Sequence, residues 1–206
     1  CEAAIQLLGR MSRCSPAHIL PKLRTHLFDL LVEIEHSSSI DRKERAAYIL
    51  GHLVCALPQL IRPYAARILQ VLQPQLHDSA SALAALGELS VVAGSAVGPS
   101  MPTLLPQLLP LLHDQASSYK RRTALHALSQ LLRATGYPSQ HAPEGAPSPS
   151  ALLLSTLLAM LGTEQEASTR LELLRALGTL GAPDPSAQMQ MQLARQRIAS
   201  ATLVNS

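Results

Sequence analysis

The chain has 206 residues, of which 69 are Leu or Ala, and both residue types favour the α-helix. Only four Tyr and one Phe are present and Trp is absent, which excludes an all-β domain because strand-rich domains depend on aromatic and β-branched residues. A hydrophobic fraction of 47% excludes disorder of the whole chain. A formal net charge of +3 with few aromatic residues argues against nucleic-acid binding.

The N-terminal residues have the pattern of an apolar helix and begin without Met. A helix is predicted over residues 1–14, and we expect the chain to be a segment of a longer polypeptide. Cys1, Cys14 and Cys55 are an odd number of cysteines without a C-x-x-C spacing. They therefore predict incidental thiols in a reducing compartment rather than disulfides or a zinc site.

An internal repeat is centred on five small residues, each followed two positions later by an apolar residue. These anchors are Gly9, Gly51, Gly87, Ser129 and Gly178. Around each one, apolar residues recur on a single face of a helix, which we call the B helix. Glycine inside a helix costs ~1 kcal/mol relative to alanine. The anchors therefore predict close approach of a neighbouring helix, with a bend or an early helix end as the alternative.

A second apolar segment, the A helix, precedes each B helix after the first. The four A segments begin near proline and span 16–36, 62–77, 102–113 and 150–161. Capping boxes are predicted in two B helices, from Asp41 with Glu44 and from Thr169 with Glu172.

The predicted organisation is a lone B helix followed by four A–B pairs. The helix covers 1–14, and the pairs cover 15–61, 62–98, 99–136 and 137–182. A two-helix repeat of about 40 residues is typical of HEAT or armadillo arrays, so the predicted fold is an all-α solenoid, an α-α superhelix, over 1–185. The second pair is short, and its B helix is predicted to begin near Ser79.

Two segments lie outside this pattern. Residues 137–149 are rich in Pro, Ser and Gly, which predicts a surface loop. Residues 186–206 are polar and rich in Gln and Met, and we expect a linker or a frayed helix there.

The uncharged stretch 89–112 contains several Gly and Pro residues and predicts two helices with a break rather than a membrane span.

Residues for catalysis, cofactors or metals are not predicted anywhere in the sequence. The kinase motifs H-R-D and D-F-G and a Gly-rich phosphate loop are absent. The pairs His77–Asp78 and His113–Asp114 occupy equivalent turns of successive repeats, which favours a structural role near helix ends.

Two basic clusters begin B helices at equivalent places and are the candidate partner-binding residues. They are Arg42, Lys43 and Arg45, and Lys120, Arg121 and Arg122. They predict a basic ridge for an acidic partner segment, and the alternative is a solvated face that keeps a Leu-rich array soluble.

Six stretches, in this order, resemble the N-terminal HEAT region of the target of rapamycin (TOR) family of Ser/Thr protein kinases. They are EAAIQLLGRMS (2–12), LVEIEHSSS (31–39), LGHLVCALPQLIRPY (50–64), LGELSVVAG (86–94), LSQLLRATGY (128–137) and LGTEQEASTRLELLRALGTLGAPDP (161–185). The similarity covers about residues 1–185. The short second repeat departs from the family, which has a longer acidic, Pro-rich turn there, and the insert 137–149 is more Pro-rich than the family pattern.

The resemblance implies a scaffold role in nutrient and growth signalling. By resemblance, the partners are other TOR segments, a second TOR protomer and a raptor-type subunit. The full-length parent would be a Ser/Thr kinase whose ATP and Mg²⁺ sites lie in a downstream domain. The expected location is cytoplasmic, at a lysosomal or vacuolar surface within the TOR complex. Two alternatives are a stand-alone HEAT adaptor, which requires polar capping helices, and a hydrolase or metal enzyme, which requires clustered acid, base or ligand residues.

Overall fold

The computed structural model describes residue 7 and residues 16–114, 117–136 and 149–181. These residues form α-helices and short 3₁₀ turns, and no strand occurs among them. The helices are α1 (Pro16–His36), α2 (Ile40–Ala56), α3 (Pro58–Ile61), α4 (Ala65–Leu72), α5 (Ala80–Val97), α6 (Met101–Leu112), α7 (Ser118–Thr135), α8 (Pro149–Thr163) and α9 (Ala167–Gly181). The predicted all-α class is confirmed.

The helices pack as successive pairs in chain order. α1 packs on α2, α4 on α5, α6 on α7, and α8 on α9. The second helices of the pairs also stack on one another, α2 on α5, α5 on α7, and α7 on α9, and α1 contacts α4. Each pair therefore covers an apolar face of the next, which is how an array of repeats forms one continuous core.

The core follows the predicted repeat pattern. The leucines one position before three of the anchors, Leu50, Leu86 and Leu128, are each 0% exposed. Burying one such side chain contributes about 1.5–3 kcal/mol. Leucines at the same position of successive repeats therefore contribute to the shared core.

The predicted boundary between residues 61 and 62 is wrong by several residues. α2 ends at Ala56, and the N–H of Leu57 bonds to the carbonyl of Leu53 at 3.0 Å. Pro58 then begins a new helix at a position where proline is favoured because its missing N–H is not needed. The second pair thus starts at Pro58, and its A segment is interrupted by a 3₁₀ turn at Arg62–Tyr64.

The B helix of the short second pair begins where the sequence predicts. Ser79 precedes α5, and its hydroxyl accepts a hydrogen bond from the N–H of Ala82 at 2.9 Å. Ser117 caps α7 in the same way, through the N–H of Lys120 at 3.2 Å. Such caps satisfy backbone N–H groups that have no partner inside the helix.

The apolar region Ala80–Leu112 is long and apolar enough to cross a membrane by length and composition, and half of its most apolar window is buried. In the structure it consists of α5, a 3₁₀ turn at Gly98–Ser100 and α6. The expected break is therefore present. Core helices of a helical array account for this apolar region, and the absence of a membrane span stays a prediction.

Gly136 ends α7 in the left-handed conformation, with φ 63°. We expect Gly136→Ala to destabilise the chain by about 1 kcal/mol, because an L side chain is strained at this φ. Thermal unfolding followed by circular dichroism measures the change. An unchanged or raised midpoint would contradict this role. Gly162→Ala is the control, because Gly162 has no positive φ and nothing lies within 4 Å of a Cβ at that position.

Several predictions concern residues outside the described ranges. They include most of the helix over 1–14 with Gly9, the insert at 137–148, and the tail at 186–206. Of the first helix only Leu7 is described, and it is helical.

Candidate partner-binding surface and contacts between repeats

The first basic cluster lies at the start of α2 and faces solvent. Arg42 and Arg45 are exposed and Lys43 is half-buried. Within the described ranges, none of the three forms an ion pair. Partner binding by this cluster stays a prediction.

Glu44, next to this cluster, links two repeats. Its carboxylate accepts a hydrogen bond from the backbone N–H of Ser81 at 2.9 Å, in the first turn of α5. The predicted capping box of Asp41 and Glu44 is therefore wrong. Glu44 caps the following B helix instead of its own, and a carboxylate is favourable at that helix N-terminus.

The second basic cluster, at the start of α7, contacts both neighbouring repeats. The ammonium of Lys120 donates to the backbone carbonyl of His77, in the turn of the preceding pair. Arg121 and Arg122 contact the turn between α8 and α9 in the following pair. We call Lys120, Arg121 and Arg122 with these contacts the inter-repeat clamp.

Arg121 forms the most buried ion pair of the clamp. Its guanidinium lies 2.8 Å from the carboxylate of Glu164, and the two side chains are 14% and 11% exposed. Arg121 also donates to the carbonyl of Asp114 at 3.2 Å. Glu164 in turn accepts hydrogen bonds from the backbone N–H groups of Gln165 and Glu166, at 3.1 and 3.0 Å. A side chain this enclosed offers little surface to a partner.

Arg122 approaches the start of α9. It donates to the hydroxyl of Ser168 at 3.2 Å and lies 3.7 Å from the carboxylate of Glu166. Ser168 and Thr169 donate to the same carboxylate at 2.6 and 3.1 Å, and these hydrogen bonds lower the pKa of Glu166. The predicted capping box of Thr169 with Glu172 is wrong, because α9 begins at Ala167 and Glu166 takes the capping position.

Glu172 instead joins α7 to α9. Its side chain is 11% exposed and lies 3.2 Å from Nδ1 of His126 and 2.5 Å from the guanidinium of Arg175. His126 is joined to Gln130 through its other ring nitrogen, at 3.1 Å. Polar contacts thus continue the coupling of these two repeats beyond the clamp.

The surroundings of the predicted glycine anchors differ. A Cβ on Gly51 would lie 3.5 Å from the Cα of Ala85, and one on Gly87 would lie 3.2 Å from the Cα of Ala127. The second distance is tighter than ordinary van der Waals contact. Nothing lies within 4 Å of a Cβ on Gly178.

The tightest approach involves a glycine that the repeat alignment missed. A Cβ on Gly94 would lie 2.6 Å from the carbonyl oxygen of Ala134 in α7. Gly94 lies seven residues after Gly87, but Ala93 has non-helical backbone angles (φ −137°, ψ 43°) that kink α5 directly before Gly94. The helical repeat of the sequence therefore does not predict this contact. The anchor Ser129 is 8% exposed, and its hydroxyl has no hydrogen-bond partner in the described ranges.

Cys55 is joined to the next B helix by a hydrogen bond. Its Sγ donates to the carboxylate of Glu88 at 3.1 Å. Burial first, and then the hydrogen bond and charge of Glu88, raise the pKa of the Cys55 thiol to about 12. The thiol is therefore protonated at neutral pH.

We expect iodoacetamide to alkylate Cys55 at pH 8 slower than free cysteine by roughly tenfold or more, because the thiolate is the nucleophile. Cys1→Ser and Cys14→Ser leave Cys55 as the reporter, and mass spectrometry gives the rate. Glu88→Ala is expected to accelerate the reaction and Asp41→Ala to leave it unchanged. Equal rates for Cys55 and free cysteine would contradict the raised pKa.

The described residues contain no group of three or more His, Cys, Asp or Glu side chains placed to hold a metal ion. His77 and His113 are both exposed at turns. Their backbones take part in the fold: the carbonyl of His77 accepts from Lys120, and the N–H of His113 donates to the carbonyl of Pro110 at 3.1 Å.

The fold and these contacts define the class: a stack of helix pairs in which polar side chains couple one pair to the next. Comparison with known proteins gives the family. A family model described as the serine/threonine-protein kinase mTOR domain matches residues 149–205.

Three kinases are similar in sequence to most of the chain. Serine/threonine-protein kinase TOR of Oryza sativa subsp. japonica is 37% identical over 201 residues, which cover 93% of this chain and 8% of the relative. Serine/threonine-protein kinase TOR2 of Saccharomyces cerevisiae is 34% identical over 198 residues, which cover 92% of this chain and 8% of the relative. Serine/threonine-protein kinase mTor of Drosophila melanogaster is 37% identical over 196 residues, which cover 89% of this chain and 8% of the relative. The chain belongs to the TOR kinase family, and it spans 8% of the length of these relatives.

Proposed function

We propose that this chain is a non-catalytic scaffold segment of a TOR-type Ser/Thr protein kinase and that it mediates protein–protein assembly. The observation that supports the proposal most is the inter-repeat clamp. Its charged side chains join one helix pair to the next, as the stacked repeats of a helical scaffold require.

The sequence and the family membership support the same proposal. The printed sequence lacks the H-R-D and D-F-G motifs and the Gly-rich loop that phosphoryl transfer requires. The relatives are Ser/Thr kinases in name. In this proposal the chain binds no ATP or Mg²⁺ itself, acts in the cytoplasm at an endomembrane surface, and contacts a second TOR protomer and a raptor-type subunit.

Co-precipitation of the tagged 206-residue chain from growing cells tests the proposal. We expect a TOR-type kinase or a raptor-type subunit to co-precipitate, and the purified recombinant chain to have no ATPase or kinase activity. Glu164→Ala, which breaks the clamp, is expected to reduce co-precipitation, and the exposed-surface variant Arg170→Ala is the matched control. Activity of the purified chain would overturn the proposal. Recovery of other partners alone would favour the stand-alone HEAT adaptor.

A further inference from the structure

A line of polar contacts crosses from α7 to α9 through five side chains. The guanidinium of Arg133 donates to the amide oxygen of Gln130 at 3.3 Å, and the amide nitrogen of Gln130 lies 3.1 Å from Nε2 of His126. Nδ1 of His126 lies 3.2 Å from the carboxylate of Glu172, which also accepts from Arg175 at 2.5 Å. We call these five side chains the His126 relay.

The direction of each hydrogen bond in the His126 relay follows from its two ends. Because a guanidinium only donates, Arg133 determines which end of the Gln130 amide is the oxygen. The amide nitrogen, which also only donates, is therefore the group beside His126. Nε2 of His126 accepts this hydrogen bond and carries no hydrogen. Nδ1 carries the hydrogen of the neutral ring and donates it to Glu172, because a carboxylate only accepts.

A second proton on His126 conflicts with this arrangement. The proton would bind to Nε2 and point at the amide nitrogen of Gln130, which places one donor against another. Gln130 removes the conflict by turning its amide group over, so that its oxygen accepts from His126. The same turn places the amide nitrogen against the guanidinium of Arg133, and the hydrogen bond between Gln130 and Arg133 is lost.

The nearest charges act on His126 in opposite directions. Glu172 favours the protonated ring, whereas Arg175, which is bound to the same carboxylate, opposes it. The side chain of His126 is 46% exposed, so it exchanges protons with solvent. Histidine is also the side chain that ordinarily changes its charge between about pH 5 and 8.

The remaining charged side chains around α7 have other contacts or are exposed. Arg122, one turn before His126, belongs to the inter-repeat clamp. The charged residue of α5 is Glu88, which accepts from Cys55 of α2. α6 has no charged residue, and Arg170 of α9 is exposed.

We propose that the His126 relay is a pH-sensitive switch at the contact between the third and fourth helix pairs. Near neutral pH the ring is neutral, its hydrogen is on Nδ1, and Gln130 holds Arg133. When His126 binds a proton, Gln130 turns its amide and Arg133 is released. The exposed surface over α7 and α9 then gains the charge of His126 and a guanidinium that is no longer bound to Gln130.

NMR of the 206-residue chain with ¹⁵N-labelled side chains tests the switch. At about pH 8 we expect the Nδ1–H form of His126 to exceed the Nε2–H form by about tenfold or more, because two hydrogen bonds select it. On acidification to about pH 5.5, we expect the signals of the Gln130 amide and the Arg133 guanidinium to shift together with those of the His126 ring.

Two variants separate the switch from an ordinary exposed histidine. Gln130→Glu hardly changes the shape of the side chain but places an accept-only carboxylate beside Nε2, so most His126 rings are expected to be protonated at about pH 7. Arg133→Met lets the Gln130 amide turn without losing a partner, and a larger protonated fraction than in the wild type is expected at the same pH. Arg170→Met, which removes a positive charge from the exposed surface of α9, is the matched control and is expected to change nothing.

An Nε2–H ring at about pH 8 would overturn the proposal. Signals of Gln130 and Arg133 that stay constant while His126 binds its proton would do the same, as would a neutral His126 ring in Gln130→Glu at about pH 7. Circular dichroism of each variant checks that the helices are retained. The chain is measured alone, so the outcome does not depend on the co-precipitation that tests the scaffold proposal.

Discussion

Replacing Gly94 by alanine is expected to destabilise the chain by about 2 kcal/mol. A Cβ at this position would lie 2.6 Å from the carbonyl oxygen of Ala134 and 3.1 Å from its Cβ. The obstacle is backbone of α7, so the two B helices must separate. Overpacking of this kind typically costs about 1–3 kcal/mol. Urea unfolding followed by circular dichroism gives the change in free energy of unfolding.

The same substitution at Gly178 is the matched control. Gly178 also lies in a B helix, but nothing lies within 4 Å of a Cβ there. Gly178→Ala is therefore expected to leave stability unchanged or to raise it by up to ~1 kcal/mol, the difference in helix propensity. If both substitutions have the same effect, close packing at Gly94 does not determine the spacing between α5 and α7.

Breaking the ion pair between Arg121 and Glu164 is expected to cost about 3–5 kcal/mol, because one enclosed charge is left without its partner. Arg121→Met removes the guanidinium and retains much of the side-chain volume. The carboxylate of Glu164 is then left 11% exposed, with only the backbone N–H groups of Gln165 and Glu166 as donors. Urea unfolding gives the loss, and hydrogen exchange is expected to increase first in α8 and α9.

A double-mutant cycle measures the interaction free energy between Arg121 and Glu164. Glu164→Gln in the Arg121→Met background is expected to be much less harmful than Glu164→Gln alone, since residues in one buried pair are strongly coupled. Arg67→Met is the matched control, because its ion pair with Glu35 is exposed and such pairs contribute less than about 1 kcal/mol. Equal losses for Arg121→Met and Arg67→Met would contradict a structural role for the clamp.

The repeat pattern of the sequence was sufficient to predict the class of fold and the start of α5 near Ser79. Apolar residues at helical spacing determine which face of each B helix is buried, and this depends on local sequence. The boundary at Pro58 was missed because a short helix and a 3₁₀ turn replace one continuous A helix. The close contact at Gly94 was missed because Ala93 kinks α5 directly before it, and a helical spacing pattern does not extend across a kink.

The roles of the charged residues could not be read from the sequence. Counted from the anchors Gly51 and Ser129, Lys120 and Arg121 align with Arg42 and Lys43, whereas Arg122 aligns with Glu44. Lys120, Arg121 and Arg122 contact neighbouring repeats, yet Arg42, Lys43 and Arg45 form no ion pair in the described ranges. The acidic partners of Arg121 and Arg122 come from the turn between α8 and α9, more than 40 positions away.

The two capping boxes were predicted wrongly because local sequence spacing does not show which helix a carboxylate contacts. Glu44 and Glu172 each have the spacing of a local cap, but the structure directs both side chains to an adjacent repeat. A carboxylate near a helix start satisfies whichever donor lies within reach, and in a stacked array the next helix is as close as its own. Sequence spacing alone does not distinguish these donors.

The most direct test of the scaffold account is an immunoprecipitation from source-cell extract with an antibody raised against this segment. The precipitate is examined by immunoblot and by a Ser/Thr kinase assay. The account predicts a band far larger than 22.0 kDa together with kinase activity, since the segment would belong to a TOR-type kinase. A band near 22.0 kDa without kinase activity would contradict it and would identify a stand-alone helical adaptor.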